Sequence, residues 1–108
     1  AAMKAVDGAL EVSGHYSHFY REGACLYITF AGMPNDPLRY YQDTWDAAMK
    51  ATLQNKASIS HHHGVGFWRI QYLEQELGSG GVTLLKSIKN AIDPEGILNR
   101  GKLIDGGR

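Results

Sequence analysis

The sequence has little cysteine, no excess of charge of one sign and no long apolar run. Cys25 is the single cysteine, so no disulfide can form within the chain. Lysine plus arginine number 11, as do aspartate plus glutamate, so the basic excess typical of nucleic-acid-binding proteins is missing. The apolar stretches are far shorter than the roughly 20 residues that a membrane-spanning helix needs. These absences predict no nucleic-acid partner and no membrane span.

The length and composition predict one globular domain. The chain has 108 residues, enough for a single domain, with a hydrophobic fraction of 44% and a charged fraction of 20%. The lone cysteine suits a reducing compartment. The first residues carry no basic region followed by an apolar run, so no signal peptide is expected. A cytoplasmic location is therefore the expectation.

The first third of the chain predicts a β-hairpin. Apolar and polar residues alternate loosely from Ala9 to about Tyr20, and residues 24–30 are rich in strand-forming side chains. Between them, Arg21-Glu22-Gly23 supplies a turn, in which glycine adopts a positive φ at little cost.

A helix is predicted to follow the hairpin. Asp36 can accept hydrogen bonds from the free amides of a first helical turn, and Pro37 suits the first helical position. Apolar side chains then recur at helical spacing to about Gln54. Residues 57–60 are predicted to form a short strand.

Two more helices are predicted in the last half of the chain. The first carries Phe67, Ile70, Leu73 and Leu77 on one face and ends at residues 78–81, which are Gly-Ser-Gly-Gly. The second runs from about Val82 to Ile92 and stops at Asp93-Pro94, since proline disfavours helix in the residue before it. An extended tail over residues 97–104 completes the expectation.

The predicted fold class is α+β, an antiparallel β-hairpin or small sheet with three flanking helices. A lone hairpin is only marginally stable, and a sheet of two or three strands leaves edges exposed. We therefore expect further sheet partners, either from residues upstream of this chain or from a second copy of it in a homodimer.

A run of three histidines is the most prominent motif. His61, His62 and His63 precede Gly64-Val65-Gly66, in a predicted loop before a helix. Imidazole accepts or donates a proton near neutral pH, and a helix N-terminus favours an anion. In an extended segment, His61 and His63 would share one side and His62 the other.

Other interpretations of the triplet stay open. It could be a solvated polar loop, or part of a stand-alone module that binds an anion or a metal. No Cys-x-x-Cys or His-Glu-x-x-His pattern supplies further zinc ligands, so no metal is predicted.

A second cluster of histidine and aromatic residues lies at the end of the first predicted strand. In a regular strand, Tyr16, His18 and Tyr20 would share one face, and the other would carry His15, Ser17 and Phe19. A tyrosine beside histidines can act as a general acid or base. Aromatic packing on a sheet face is the alternative, because tyrosine is common in strands.

Three segments together resemble a known family. Residues 20–27 (YREGACLY), residues 60–66 (SHHHGVG) and residues 84–89 (LLKSIK) followed by Asp93-Pro94 are similar to the C-terminal part of the alkyldihydroxyacetonephosphate synthases. The resemblance runs from about Gly14 to Ile104.

The closing segment resembles a broader group. Residues 93–102 (DPEGILNRGK) are similar to a signature of FAD-linked oxidases of the vanillyl-alcohol oxidase type, in which proline usually follows the asparagine. Here Arg100 follows Asn99.

The resemblance implies a place within a larger enzyme. Such proteins have an FAD-binding domain and a cap domain, an antiparallel sheet with helices, over the flavin. Residues 1–108 would be a C-terminal cap-domain segment, with the FAD-binding domain upstream, and the isolated chain would be inactive. A peroxisomal location is implied if the source is eukaryotic.

The resemblance also implies an activity and a site. The synthases exchange the acyl group of acyl-dihydroxyacetonephosphate for a fatty alcohol, through a covalent flavin–substrate adduct, to make an ether-lipid precursor. By matching position, Tyr20 would be the catalytic tyrosine, the three histidines would handle protons and a lipid-phosphate substrate, and Asn99 would approach the FAD. An oxidase or dehydrogenase of a hydroxy acid or alcohol is the alternative within the same superfamily.

Overall fold

The computed structural model describes residues 1–104, so the last four residues of the predicted segment 1–108 lie outside the described residues. The chain divides into two compact units, Ala1–Ala51 and Thr52–Arg108. Among the described residues, no helix combines the length and the apolar character that crossing a membrane requires.

The first unit contains the predicted hairpin. After a short 3₁₀ turn, strand β1 (Ala9–Phe19) pairs antiparallel with strand β2 (Ala24–Gly32). The hairpin prediction is therefore confirmed. The pairing is regular except for shifts at Ala9/Glu11 and at Ser17/Phe19. The second shift changes which side chains share a face.

Helix α1 (Pro37–Gln54) follows the hairpin and begins where the sequence predicts. The Arg39 amide donates to the Asp36 carboxylate over 3.0 Å, as expected of an N-terminal cap. The Tyr40 hydroxyl donates to the Ala31 carbonyl over 3.0 Å and so ties the helix to β2. A Cβ at Gly32 would lie 2.5 Å from the Tyr40 ring, so this close approach requires glycine.

In the second unit, the predicted short strand over residues 57–60 is wrong. The sheet of the described residues contains β1 and β2 only. The polar groups of Ser58 and Ile59 bind the side chain of Glu76 instead of a neighbouring strand. An alternating pattern only four residues long does not show whether its backbone groups pair with a strand or with a side chain.

The helices of the second unit differ in their bounds from the prediction. Helix α2 is short (Gly66–Arg69), a 3₁₀ turn follows (Ile70–Tyr72), and helix α3 spans Leu73–Ile92. The break predicted over residues 78–81 is confined to Gly78, where φ is 72° and ψ is 165°. Helical conformation resumes after Gly78, so the predicted break between two helices is present and is one residue long.

Apolar side chains remain exposed in both units. In α3, Leu84 is 62% exposed and Ile92 is 72% exposed. In the hairpin, Tyr16, Leu26 and Ile28 are also exposed. The buried apolar residues of the described chain are few: Met3, Tyr40, Met49, Ile59, Tyr72, Leu73 and Ile104. The α+β class is confirmed, and much apolar surface stays exposed in the described residues.

Candidate functional site

The three histidines lie together on an exposed, bent loop. The Nδ1 atoms of His61 and His62 are 2.8 Å apart, and their rings meet edge to face with centroids 5.1 Å apart. The ring of His62 also lies 4.3 Å from that of His63, between centroids. The expectation that His62 points away from its neighbours is wrong, because the backbone bends here and does not alternate as a strand does.

The contact between His61 and His62 has a chemical consequence. A short distance between two ring nitrogens requires one to carry a hydrogen and the other to accept it. The tautomers of the two rings are therefore coupled through the hydrogen bond between these nitrogens. Such a pair suits general acid–base chemistry.

Side chains from the following helices hold the loop on both sides. The Arg69 guanidinium donates to the carbonyl of Ile59 over 2.9 Å and to that of Gly64 over 3.4 Å. The Ser60 hydroxyl also donates to the Gly64 carbonyl, over 3.0 Å. Sequence reasoning missed Arg69, together with Glu76 seven residues later. In the single helix that the sequence predicts here, a spacing of seven residues would place both charges on one face, which was the available signal; in the structure Arg69 ends α2 and Glu76 lies on α3.

The structure gives little support to the predicted anion site at the N-terminus of the helix after the histidines. Helix α2 has only four residues, and Gly64 and Gly66 precede or begin it with positive φ values of 75° and 56°. The dipole of so short a helix is small.

In the hairpin, two histidines contact Tyr27. The ring of His15 stacks on that of Tyr27, with centroids 5.0 Å apart and planes 8° from parallel. The His18 Nε2 lies 3.1 Å from the Tyr27 hydroxyl. The prediction that His15 and His18 lie on opposite faces is wrong. The pairing shift at Ser17/Phe19 and the positive φ of His18, 50°, bring both to one side.

The predicted tyrosine lies in the hairpin turn. The Tyr20 amide donates to the Gly23 carbonyl over 2.7 Å, and Tyr20 is exposed. Its catalytic role stays a prediction. Tyr27 was not singled out from the sequence, because its histidine contacts depend on the strand pairing and on the irregularity at His18.

The segment after α3 is organised by one carboxylate. Asp93 accepts hydrogen bonds from the amides of Ile97, over 3.0 Å, and Leu98, over 2.9 Å, and forms an ion pair with Lys89. The Lys89 ammonium also donates to the Leu98 carbonyl over 2.7 Å. The hydrogen bond from Lys89 is the main cause that lowers the pKa of Asp93 to about 2; the amides of Leu98 and Ile97 add to it, and desolvation opposes it.

The extended tail predicted over residues 97–104 is wrong, since residues 98–104 form successive bends and turns. Asn99 and Leu103 have positive φ values of 45° and 63°. The Asn99 side chain is exposed next to the segment held by Asp93. Its amide offers a hydrogen-bond donor and an acceptor, so its chemistry fits the polar edge of a flavin ring.

Comparison with known proteins identifies the family. Residues 1–103 match the family described as FAD linked oxidases, C-terminal domain. The chain belongs to this family. The predicted resemblance is confirmed, and with it FAD as the cofactor of the enzymes that contain such domains. A domain of this kind is one part of a larger FAD-binding protein.

Individual relatives agree with the family. The chain is 37% identical over 92 residues to the alkyldihydroxyacetonephosphate synthase of Trypanosoma brucei brucei, covering 83% of this chain and 15% of that protein. It is 40% identical over 90 residues to the synthase of Caenorhabditis elegans, covering 80% of this chain and 15% of that protein. A mitochondrial D-lactate dehydrogenase (cytochrome) of Arabidopsis thaliana is 41% identical over 54 residues, covering 50% of this chain and 10% of that protein.

Proposed function

We propose that this domain serves an FAD-dependent enzyme that makes an ether-lipid precursor by exchanging the acyl group of acyl-dihydroxyacetonephosphate for a fatty alcohol. The observation that carries the proposal is the exposed histidine triplet, in which the Nδ1 atoms of His61 and His62 are 2.8 Å apart. The similarity to two synthases over 83% and 80% of the chain supports this substrate class.

The histidines are proposed to move the substrate proton. The exchange needs a proton to leave the carbon next to the substrate carbonyl, and a neutral imidazole is a suitable base. In the pair of His61 and His62, one ring nitrogen accepts a hydrogen bond from the other, which orients the rings. A protonated ring would then donate to the phosphate of the substrate.

A tyrosine of the hairpin is the second proposed acid–base group. Tyr20 remains the residue that the family resemblance predicts. Tyr27 is a further candidate, because the His18 Nε2 lies 3.1 Å from its hydroxyl and the ring of His15 stacks on it. A neighbouring imidazole can take the phenolic proton or return it.

The cofactor is proposed to meet this domain at its C-terminal segment. Asn99 would offer its side-chain amide to the flavin, and Asp93 would hold the preceding residues in place. In the exchange, bound FAD would act as an electrophile that transiently takes up the substrate carbon with no net oxidation of the substrate, whereas in an oxidase or dehydrogenase it would accept electrons. The chain spans about 15% of the length of the two synthases that it resembles. We therefore propose that an upstream FAD-binding domain of the same protein is its main partner.

A homodimer is also proposed. The exposed apolar side chains of β2 and α3, such as Leu26 and Leu84, favour contact with further protein. Either the upstream domain or a second copy could cover them. The molecular mass of the full-length protein in solution distinguishes a monomer from a dimer.

The second candidate function is an FAD-dependent oxidase or dehydrogenase of a hydroxy acid or alcohol. The 41% identity to a D-lactate dehydrogenase over half of this chain favours it. The same histidine and tyrosine groups would then take the hydroxyl proton of the substrate. A stand-alone module that binds an anion or metal is the third candidate.

An anaerobic test of the full-length protein separates these functions. Its visible absorption spectrum is recorded alone, with acyl-dihydroxyacetonephosphate, and with a simple hydroxy acid. We expect a flavin spectrum that bleaches with the acyl phosphate and is restored by a fatty alcohol without oxygen. Bleaching by the hydroxy acid alone would favour the oxidase or dehydrogenase. A colourless full-length protein would contradict both flavin functions and leave the binding module.

A further inference from the structure

The backbone before the histidines is held by one carboxylate. Glu76 lies on α3 and accepts two hydrogen bonds. The Ser58 hydroxyl donates to one carboxylate oxygen over 2.7 Å, and the Ile59 amide donates to the other over 3.0 Å. Ile59 is buried, with 5% of its surface exposed. The Glu76 carboxylate therefore fixes the main chain at buried Ile59, two residues before His61.

Arg69 joins the two ends of the loop. Its Nε donates to the Ile59 carbonyl over 2.9 Å, and its Nη1 donates to the Gly64 carbonyl over 3.4 Å. The Ser60 hydroxyl reaches the same Gly64 carbonyl over 3.0 Å. A planar guanidinium presents its donors in a fixed arrangement, so it sets the distance between the residues before and after the triplet.

These contacts restrain the backbone before and after the histidine triplet. All three histidines are exposed, so their positions depend on the backbone on each side of them. The contact between His61 and His62 requires that this backbone bend correctly. Glu76 binds the Ile59 amide before that bend, and Arg69 binds the carbonyls of Ile59 before it and Gly64 after it, all within the same unit of the chain.

We propose that Glu76 and Arg69 are positioning residues that hold the histidine triplet in its acid–base geometry. The proposal rests on the proposed function of the histidines. Glu76 acts on the approach to the loop, and Arg69 joins its two ends. Displacement of a catalytic group by about 1 Å can lower turnover by about a hundredfold.

The test uses the full-length enzyme, acyl-dihydroxyacetonephosphate and a fatty alcohol. The variants are Glu76→Ala, Arg69→Met, and the conservative pair Glu76→Gln and Arg69→Lys. Glu74→Ala is the matched control, because Glu74 is an exposed carboxylate two residues from Glu76 on the same helix. Flavin content is measured in each variant, which reports whether the enzyme still assembles.

We expect Glu76→Ala and Arg69→Met each to lower kcat by about tenfold to a hundredfold while KM changes by less than about threefold. Glu76→Gln should recover most of kcat, because the side-chain oxygen of glutamine can still accept a hydrogen bond from the Ile59 main-chain N–H. Arg69→Lys should recover less, because one ammonium does not reproduce the planar arrangement of donors. Glu74→Ala should match the wild type.

Hydrogen–deuterium exchange supplies a readout that does not depend on activity. Amides in residues 58–66 should exchange faster in Glu76→Ala and Arg69→Met and at the wild-type rate in Glu74→Ala. Normal kcat in both truncated variants would overturn the proposal, as would an equal loss in Glu74→Ala or a loss without faster exchange. If Glu76→Ala does not retain flavin, the same comparison is made with Glu76→Gln and Arg69→Lys.

The His62→Ala variant separates this inference from the proposed function. Low turnover in His62→Ala together with normal turnover in the Glu76 and Arg69 variants would overturn the positioning role alone. Normal turnover in His62→Ala would contradict the proposed function on which that role rests.

Discussion

The hairpin and the histidine loop reach their shapes by different means. The hairpin is held by main-chain hydrogen bonds along β1 and β2, which most side chains permit. The histidine loop is held by particular side chains, the carboxylate of Glu76 and the guanidinium of Arg69. Sequence pattern is therefore a good guide to the hairpin and a poor guide to the loop. Single substitutions should correspondingly disturb the loop more than the strands.

The largest expected effect is the loss of turnover in the full-length enzyme with His62→Ala. His62 contacts both neighbouring histidines, so its removal breaks the group. We expect turnover to fall by at least about a hundredfold, the usual scale for a lost general acid or base, with flavin content near normal. Steady-state kinetics with acyl-dihydroxyacetonephosphate and fatty alcohol measure it, with exposed Gln75→Ala as the control. Wild-type turnover in His62→Ala would contradict a catalytic role of the histidine loop.

The hairpin supplies the matching test with Tyr20→Phe and Tyr27→Phe. Each variant removes one hydroxyl and leaves the ring, so strand pairing should persist. We expect turnover to fall by about a hundredfold in the variant whose hydroxyl transfers a proton, and by much less in the other. Kinetics of both variants, with flavin content as the control, assign the role to one tyrosine. If neither substitution lowers turnover, the hairpin contributes no acid–base tyrosine.

Stability in the second unit should depend on Leu73 more than on Leu84. Leu73 is 6% exposed and Leu84 is 62% exposed, although both lie on α3. Leu73→Ala should lower the free energy of unfolding by about 2–5 kcal/mol, because it leaves a cavity. Leu84→Ala should change it by at most about 0.5 kcal/mol in the isolated domain. Denaturant unfolding of both variants checks the difference, and equal losses would contradict it. A larger effect of Leu84→Ala in the full-length protein would indicate that another domain covers this surface.

The smallest expected effect is the pH dependence from Asp93. Its pKa is about 2 in the folded chain against an ordinary 3.8, so the charged form stabilises the fold. This contribution is complete above the ordinary pKa and is lost as pH falls from about 4 towards 2. Asp93→Asn should therefore unfold at lower denaturant than the wild type near pH 7, and the difference should shrink over that acidic range. A difference that stays constant down to the lowest measurable pH would exclude the ion pair with Lys89 as its cause.

Local patterns predicted most of the secondary structure. Asp36 and Pro37 marked the start of α1, and Asp93-Pro94 marked the end of α3, because caps and proline act within one turn of helix. The break at Gly78 was predicted too broadly, since composition alone does not show which of several glycines adopts a positive φ. The short strand over residues 57–60 was wrong because a partner far along the chain decided its hydrogen bonds.

The sequence predicted the residues of the candidate site better than their geometry. The triplet of His61, His62 and His63 was evident from composition, and family resemblance selected Tyr20 and Asn99. Tyr27 was missed because its contacts with His15 and His18 depend on the pairing shift in the hairpin. The Glu76 anchor was missed because it binds residues 17 and 18 positions earlier.

The sequence by itself determined the family, the hairpin, the start of α1, the end of α3 and the presence of a histidine loop, because each depends on neighbouring residues or on a short motif. Only the tertiary structure decided how the rings of that loop meet, which tyrosine contacts histidines and what holds the C-terminal segment. The physical reason is the range of the interactions. Caps and turns act over a few residues, whereas a hydrogen bond between distant residues forms only when the folded chain brings its donor and acceptor within reach.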